Sequence, residues 1–284
     1  MRYLSRSWAA AGGATGRARV SVWAGADEEP YDLADRTGLD HVRWHWVDRE
    51  RFRRESIFAT VTERQLEPSD ADVVVFCDAD TLLVRNVDDV LEAVASNGCV
   101  AGVIAHVPPP LAEGDVERRW EHIFASAGRR LPSDRYQHTG WGAMYDAPPA
   151  NRFGPAYYNF GAVFVPGPHV ARLGEEFERQ IAIAGRTPIV PFFKAQLALT
   201  FAIYELDLPR VALALRYNFP NDEWAERLFP ADLDDVRVVH YLREHVIGTR
   251  RSTWGDDDNF SQFLLRQDLA GSNEAVRSTC LRLA

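Results

Sequence analysis

The stretch Val73-Val74-Val75-Phe76-Cys77-Asp78-Ala79-Asp80-Thr81-Leu82-Leu83-Val84 constrains the fold more than any other. An apolar run ends in two acids one residue apart, and the chain then turns apolar again. Such a run reads as a strand covered on both faces, the kind found inside an α/β sheet. A strand that stops at Asp-x-Asp sets two carboxylates at the carboxyl edge of a parallel sheet, where open α/β sheets bind ligands. Two hard oxygen donors there suit a divalent cation holding a diphosphate. The plainer alternative is a buried strand ending in a polar turn, with Asp80 capping the next helix.

The rest of the chain supplies the helices and strands such a sheet needs. Tyr3 to Ala11 reads as a helix stopped by Gly12-Gly13, and Arg19 to Trp23 as a strand. A short helix is predicted over Tyr31–Thr37, a strand over His41–Val47, and a charged helix over Arg49–Leu66. Asn86 or Asp88 caps a helix that Asn97-Gly98 closes. Strands are predicted over Val100–Ala105, Tyr157–Val165, Val211–Leu215 and Val236–Val239. Helices are predicted over Val116–Ala127, Val170–Ala184 and Pro191–Glu205. This alternation predicts an α/β fold with a mainly parallel sheet flanked by helices. No internal repeat or low-complexity linker interrupts it. One domain is expected over residues 1–255, with a C-terminal helical tail over 256–284.

Bulk properties remove several function classes. The 284 residues carry a formal net charge of −9 and no basic block, which argues against a nucleic-acid partner. An anionic small molecule stays possible, because one metal ion inverts the local field. No apolar run reaches the roughly 18–20 residues of a membrane span, and no h-region marks a signal peptide. Cys77, Cys99 and Cys280 are an odd set without metal spacing and read as core thiols of a reducing cytoplasm. A cytoplasmic location is expected. Lys194 is the only lysine in the chain.

Four landmarks then occur in a fixed order: Asp78-Ala79-Asp80 after its strand, Tyr158-Asn159-Phe160-Gly161-Ala162-Val163-Phe164, Lys194-Ala195-Gln196-Leu197-Ala198-Leu199, and Val236-Arg237-Val238-Val239-His240-Tyr241. With these landmarks, over roughly residues 15–245, the chain resembles the GT-A-type nucleotide-sugar glycosyltransferases. It is most similar to family 8, the glycogenin and lipopolysaccharide galactosyltransferase type. The resemblance implies a Rossmann-like sheet and a metal-dependent transfer of sugar from a nucleoside-diphosphate sugar, a UDP-sugar first, to a saccharide or other hydroxyl acceptor. It implies Mn²⁺ or Mg²⁺ held by Asp78, Asp80 and His240, with Asp80 the main ligand and Asp78 sharing the metal or holding the ribose. Asn159 and Gly161 fall where the family contacts the donor sugar, and Gln196 where it places a glutamine near the anomeric carbon. Asn218 matches a structural Tyr-Asn. Arg243, with Arg250 and Arg251, stands in for a missing diphosphate-binding lysine. Tyr136 and Trp141, in a polar, aromatic and Gly-rich stretch, offer faces for acceptor stacking.

Departures from the family are equally legible. Its acid ahead of Gln196 is Ala195 here. Its basic residue in the helix before the metal motif falls near Thr60, with Arg64 a turn later. Its opening strand, which contacts base and ribose, has no counterpart ahead of Tyr3, so the sheet is expected to lack it. If configuration is inverted rather than retained, Asp134 or Asp146 is available as a base. Asp256-Asp257-Asp258 reads as a solvated turn. Two rival readings remain: a sugar-phosphate nucleotidyltransferase, whose Gly- and basic-rich phosphate loop is not found here, and a non-catalytic relative that binds a sugar or a partner protein.

Overall fold

The computed structural model describes residues 2–25, 39, 41–106, 116–139, 153–189, 191–241 and 257–284. Helix α1, Arg2–Ala10, leads through a short 3₁₀ turn to strand β1, Val20–Ala24. Strand β2, Val42–Trp46, follows. The predicted helix at 31–37 lies outside the described residues. The charged helix predicted over 49–66 is two helices, α2 (Arg49–Glu55) and α3 (Ile57–Leu66). Ser56, at φ 56°, separates them. That left-handed backbone is unusual for a residue with a side chain and cannot continue a right-handed helix.

Strand β3, Val73–Cys77, lies where the apolar run predicts. Strand β4, Thr81–Leu83, turns back from it, and helix α4, Asp88–Asn97, follows. The predicted side-chain cap of α4 is absent, because the cap position belongs to Val87. Asp88 instead accepts from the Thr15 backbone N–H at 2.7 Å and from the Thr15 hydroxyl at 2.5 Å, tying α4 to the turn after α1. Gly98, at φ 61°, ends α4 in the left-handed conformation that glycine adopts without strain.

Next come β5 (Val100–Ile104), α5 (Val116–Ser126), β6 (Tyr136–Gln137), β7 (Phe153–Gly154) and β8 (Tyr158–Pro166). They are followed by α6 (Gly167–Ala184), α7 (Lys194–Glu205), β9 (Arg210–Ala212) and β10 (Phe219–Pro220). The chain continues through α8 (Glu223–Leu228), α9 (Pro230–Asp234), β11 (Val238–His240), α10 (Asp257–Leu265) and α11 (Gly271–Leu283).

The class is α/β, but the sheets are mixed rather than mainly parallel. The central sheet has the order β3-β8-β5-β9. Here β8 is antiparallel to both β3 and β5, and β9 is parallel to β5. A second sheet has the order β10-β11-β4, with β11 antiparallel to β4 and parallel to β10. β1 and β2 form a parallel pair. The apolar run of β3 satisfied the sequence rule for a parallel strand, yet its neighbour runs the other way. Burial on both faces produces that run, whatever the direction of the neighbour.

All nine residues of β8 are buried. Val163 and Val165 pack with α5, α6 and α7, while Ala162 and Phe164 pack with Leu4 and Trp8 of α1 and with Val90 and Val94 of α4. The segment expected as a helical tail puts Phe263, Val276 and Cys280 into a third cluster with Leu82, Phe219 and Val239. The three cysteines are free thiols. Among the described residues no helix is long and apolar enough to cross a membrane.

Because Phe164 is wholly buried in the central strand, Phe164→Ala is expected to lower the unfolding free energy by about 3–5 kcal/mol. Chemical denaturation checks this; a loss under about 1 kcal/mol would contradict the packing described.

Candidate metal and donor site

The site begins where β3 ends. Asp78, Ala79 and Asp80 form the turn into β4, and the Thr81 hydroxyl closes it by donating to the Asp78 carbonyl at 2.8 Å. β11 pairs antiparallel with β4 so that His240 stands opposite Thr81. The next backbone N–H, at Tyr241, donates to the Asp80 carbonyl at 2.8 Å. The late histidine is thereby laid beside the early acids. His240 Nε2 lies 3.2 Å from Asp80 Oδ1. One ligand atom each from Asp78, Asp80 and His240 falls within 4.8 Å of the other two.

His240 is buried, while the Asp80 side chain is 47% exposed. Burial disfavours charge on both. Their hydrogen bond and mutual attraction outweigh it, holding the Asp80 carboxyl below its ordinary pKa and the His240 imidazole above its own. Each group therefore already favours a close charged partner.

A second ring of side chains aims these ligands. Arg64 of α3 donates to the Cys77 carbonyl at 2.9 Å and to Asp78 Oδ1 at 3.3 Å. Its guanidinium sits 5.5 Å from the centre of the Phe160 ring. Asn159 Oδ1 accepts from the Gly161 N–H and from Asn218 Nδ2, both at 2.9 Å. Asn218 Oδ1 and His240 Nδ1 are buried and have no hydrogen-bond partner among the described residues. A Cβ on Gly161 would collide with both atoms. Gly161 is thus required because Asn218 and the inner nitrogen of His240 press against that stretch of backbone.

The acids open onto a cavity of about 1460 Å³ lined by β1, β3, Arg64, Phe160, Ala195 and Gln196. Gln196 Oε1 accepts from the Tyr157 hydroxyl at 2.7 Å. Two residues before Gln196, the Lys194 ammonium lies 3.9 Å from the centre of the Phe58 ring.

The structure therefore brings together Asp78, Asp80 and His240, sets Asn159 and Gly161 against them through Asn218, and puts Gln196 on the cavity wall. It does not bring Tyr136 to that wall. The Tyr136 hydroxyl donates to the Arg210 carbonyl at 3.4 Å, and the ring packs on the core. His138, in the same aromatic stretch, is buried between the Ala105 carbonyl, 2.8 Å from Nδ1, and Trp120, whose Nε1–H donates to Nε2 at 3.3 Å. Trp141, Arg243, Arg250, Arg251 and Asp146 lie outside the described residues. Asp134, the alternative base, accepts from Arg210 Nε at 2.8 Å and from the Tyr204 hydroxyl at 2.9 Å. Burial raises its pKa, but these partners win and hold it below the ordinary value, so it is a weakened base. Of the two residues near the family's basic position, Arg64 is the one that reaches an acid. Sequence reasoning missed Tyr157 as the partner of Gln196, and no spacing signal points to it.

The donor set is two carboxylates and one imidazole, oxygen and nitrogen ligands that suit Mn²⁺ and, with less preference, Mg²⁺. The approach of one atom from each of the three residues to within 4.8 Å of the other two supports this fit.

No protein-family model matches the chain, and no curated protein matches it. Among solved structures it is similar to the galactosyltransferase LgtC in complex with donor and acceptor sugar analogs. That match has 15% identity, covers 86% of this chain and 81% of that one, and has a TM-score of 0.44. It is also similar to mouse xyloside xylosyltransferase 1, with 12% identity, 86% and 91% coverage and a TM-score of 0.48. The bifunctional glycosyltransferase WbbM matches with 13% identity, 73% and 36% coverage and a TM-score of 0.38. Resemblance at this level leaves the reading of the site to its own geometry.

Two outcomes are expected. Gly161→Ala displaces Asn218 and His240 and weakens Mn²⁺ binding about 10- to 100-fold, by electron paramagnetic resonance titration, while far-UV circular dichroism is kept. Unchanged affinity would refute the squeeze. Asp134→Asn lowers stability at neutral pH. Because the folded pKa of Asp134 is depressed, its contribution is present above the ordinary aspartate value and lost as the pH falls through the folded one. The gap between variant and parent in urea unfolding therefore narrows from about pH 5 towards about pH 3; a constant gap would contradict the assignment.

Proposed function

We propose that this chain is a metal-dependent glycosyltransferase. It moves a sugar from a nucleoside-diphosphate sugar, with a UDP-sugar as the first donor to examine, to an acceptor hydroxyl with retention of configuration. The observation that carries this reading is the convergence of Asp78, Asp80 and His240 within 4.8 Å, at the mouth of a cavity large enough for a nucleotide.

Physical chemistry links the parts. A diphosphate is an anion, and Asp78 and Asp80 repel it unless a cation lies between. Nucleotide binding should therefore depend on metal. A divalent ion held by Asp78, Asp80 and His240 supplies Lewis-acid stabilisation of the departing diphosphate. The chain's own residues do the rest. Arg64 fixes Asp78, and Asp80 and His240 hold each other. Gln196, oriented by the Tyr157 hydroxyl, presents its amide to the cavity where a sugar would lie. Asn159 is occupied by Gly161 and Asn218, so its carbonyl orders the site rather than reaching out to ligand. Ala195 takes up no proton, and Asp134 is committed to Arg210 and Tyr204. Asp134 is thereby weakened as a base for inversion. Arg243 and Trp141 keep their sequence-based assignments, to the diphosphate and to the acceptor.

Calorimetry with UDP, with and without Mn²⁺, tests the binding half, and a hydrolysis screen across UDP-, GDP- and dTDP-sugars tests the chemistry. Mn²⁺-dependent UDP binding, abolished in Asp80→Ala, together with release of UDP from one donor, is the expected result. Metal-dependent binding without turnover of any donor would instead place the chain among non-catalytic binders. If no nucleotide bound with Mn²⁺ and Asp80→Ala changed nothing, the proposal would fail.

A further inference from the structure

One hydrogen bond behind the cavity wall decides which way a wall residue faces. The Tyr157 hydroxyl donates to Gln196 Oε1 at 2.7 Å. Tyr157 is wholly buried. Burial pushes its hydroxyl well above the ordinary tyrosine pKa, so it stays protonated and remains a donor. Among the described residues that O–H has no second acceptor. A buried hydroxyl left unpaired is costly, so the Gln196 amide turns its oxygen, and not its nitrogen, towards Tyr157. That leaves Nε2 for the cavity, which Gln196 lines.

The pair is held from both sides. The Tyr157 ring packs on Trp120 of α5, with ring centres 5.2 Å apart. Trp120 in turn stacks parallel to His138, with centres 6.0 Å apart. A Cβ on Gly154 would collide with Trp120 Nε1 and His138 Nε2, so the stack has no room to shift that way. The backbone is fixed as well, because the Ala105 N–H, just past β5, donates to the Tyr157 carbonyl at 2.8 Å. From the other side the Thr200 hydroxyl of α7 lies 3.1 Å from the Gln196 carbonyl and 3.3 Å from the Ala156 carbonyl. The Ala156 N–H donates to the Tyr204 hydroxyl at 2.9 Å. Thr200 and Tyr204 follow Gln196 on successive turns of α7. The helix that carries Gln196 is thus pinned to the residue just ahead of Tyr157.

We propose that Tyr157 is a positioning residue that fixes the Gln196 amide with its N–H groups aimed at the transferred sugar. The group that meets Nε2 is then a lone pair on that sugar, from a hydroxyl or the ring oxygen. Gln196 holds the sugar and does not attack it, since an amide attacks through its oxygen and that oxygen is engaged with Tyr157. Ala195 and Phe160, which line the same cavity, offer no polar side-chain atom in its place. Tyr157 does not line the cavity and acts through Gln196. The inference rests on the reading of the cavity as a nucleotide-sugar site and assigns within it a residue that the sugar never touches.

Calorimetry with Mn²⁺ compares UDP with UDP-glucose, UDP-galactose and UDP-N-acetylglucosamine, and the tightest of these sugars measures what the sugar adds. Tyr157→Phe keeps the ring in its stack and removes the hydroxyl. Gln196→Met keeps the length of the side chain and removes the amide. Each is expected to weaken binding of that UDP-sugar about tenfold while UDP affinity stays at the parent value. The double variant is expected to lose no more than either single one, because both remove the same interaction. A purely structural role for Tyr157 would weaken UDP and UDP-sugar alike, or add to the Gln196→Met loss, and either result would overturn the proposal. So would parent-like UDP-sugar affinity in Tyr157→Phe, or a sugar adduct on Gln196 by mass spectrometry. UDP binding with no gain from any of the sugars would leave Gln196 nothing to hold and would overturn it too. Absence of Mn²⁺-dependent UDP binding in the parent is a different failure, that of the nucleotide reading itself, and takes this assignment with it.

Discussion

The antiparallel pairing of β11 with β4 is the interaction on which the site depends. It sets His240 opposite Thr81 and hands the next N–H to the Asp80 carbonyl. Strand side chains alternate in direction, so a slip of one residue would turn His240 to the far face and leave the acids alone. The pairing is only three residues long and draws its strength from what lies behind it. Leu82 and Val239 pack with Phe263, Val276 and Cys280 from the last two helices. The C-terminal helices therefore contribute no ligand yet hold the ligand strand in register.

Charge balance explains why this cluster tolerates its own acids. His240 answers Asp80, and Arg64 answers Asp78. A divalent cation displaces the proton from His240 on binding and, with Arg64 still opposite Asp78, leaves the local field positive, the sign a diphosphate requires. The same logic separates these acids from Asp134, whose charge Arg210 answers and whose Oδ2 accepts from both Arg210 and the Tyr204 hydroxyl.

Much of this was legible in the residues. The run ending at Asp78-Ala79-Asp80 marked strand, turn and acids because burial on both faces and carboxylates at a strand end leave plain local signals. His240 was legible only through the order of landmarks, since no local pattern tells a ligand from a surface histidine. Strand direction was not legible. β3 is apolar because it is covered, and its antiparallel neighbour β8 is covered equally. The break at Ser56 was hidden as well, because the helical spacing continues across it and one backbone dihedral carries the change. Asn218 read as structural, and its side chain does hold Asn159; what spacing could not convey is that it also crowds His240 against Gly161. Tyr136, an aromatic residue in a polar stretch, reads as a ligand platform; its ring packs on the core and its hydroxyl reaches the Arg210 carbonyl, which spacing could not convey.

The pairing of Lys194 with the Phe58 ring has a practical side. Every other basic side chain in this protein, histidine apart, is an arginine, so an amine-directed reagent finds one side chain to modify. That amine sits at the head of the helix that carries Gln196, held against an aromatic face on the cavity side of α3. With the α-amine blocked, a dye or spin label placed there would report from a known point on α7, without any engineered cysteine.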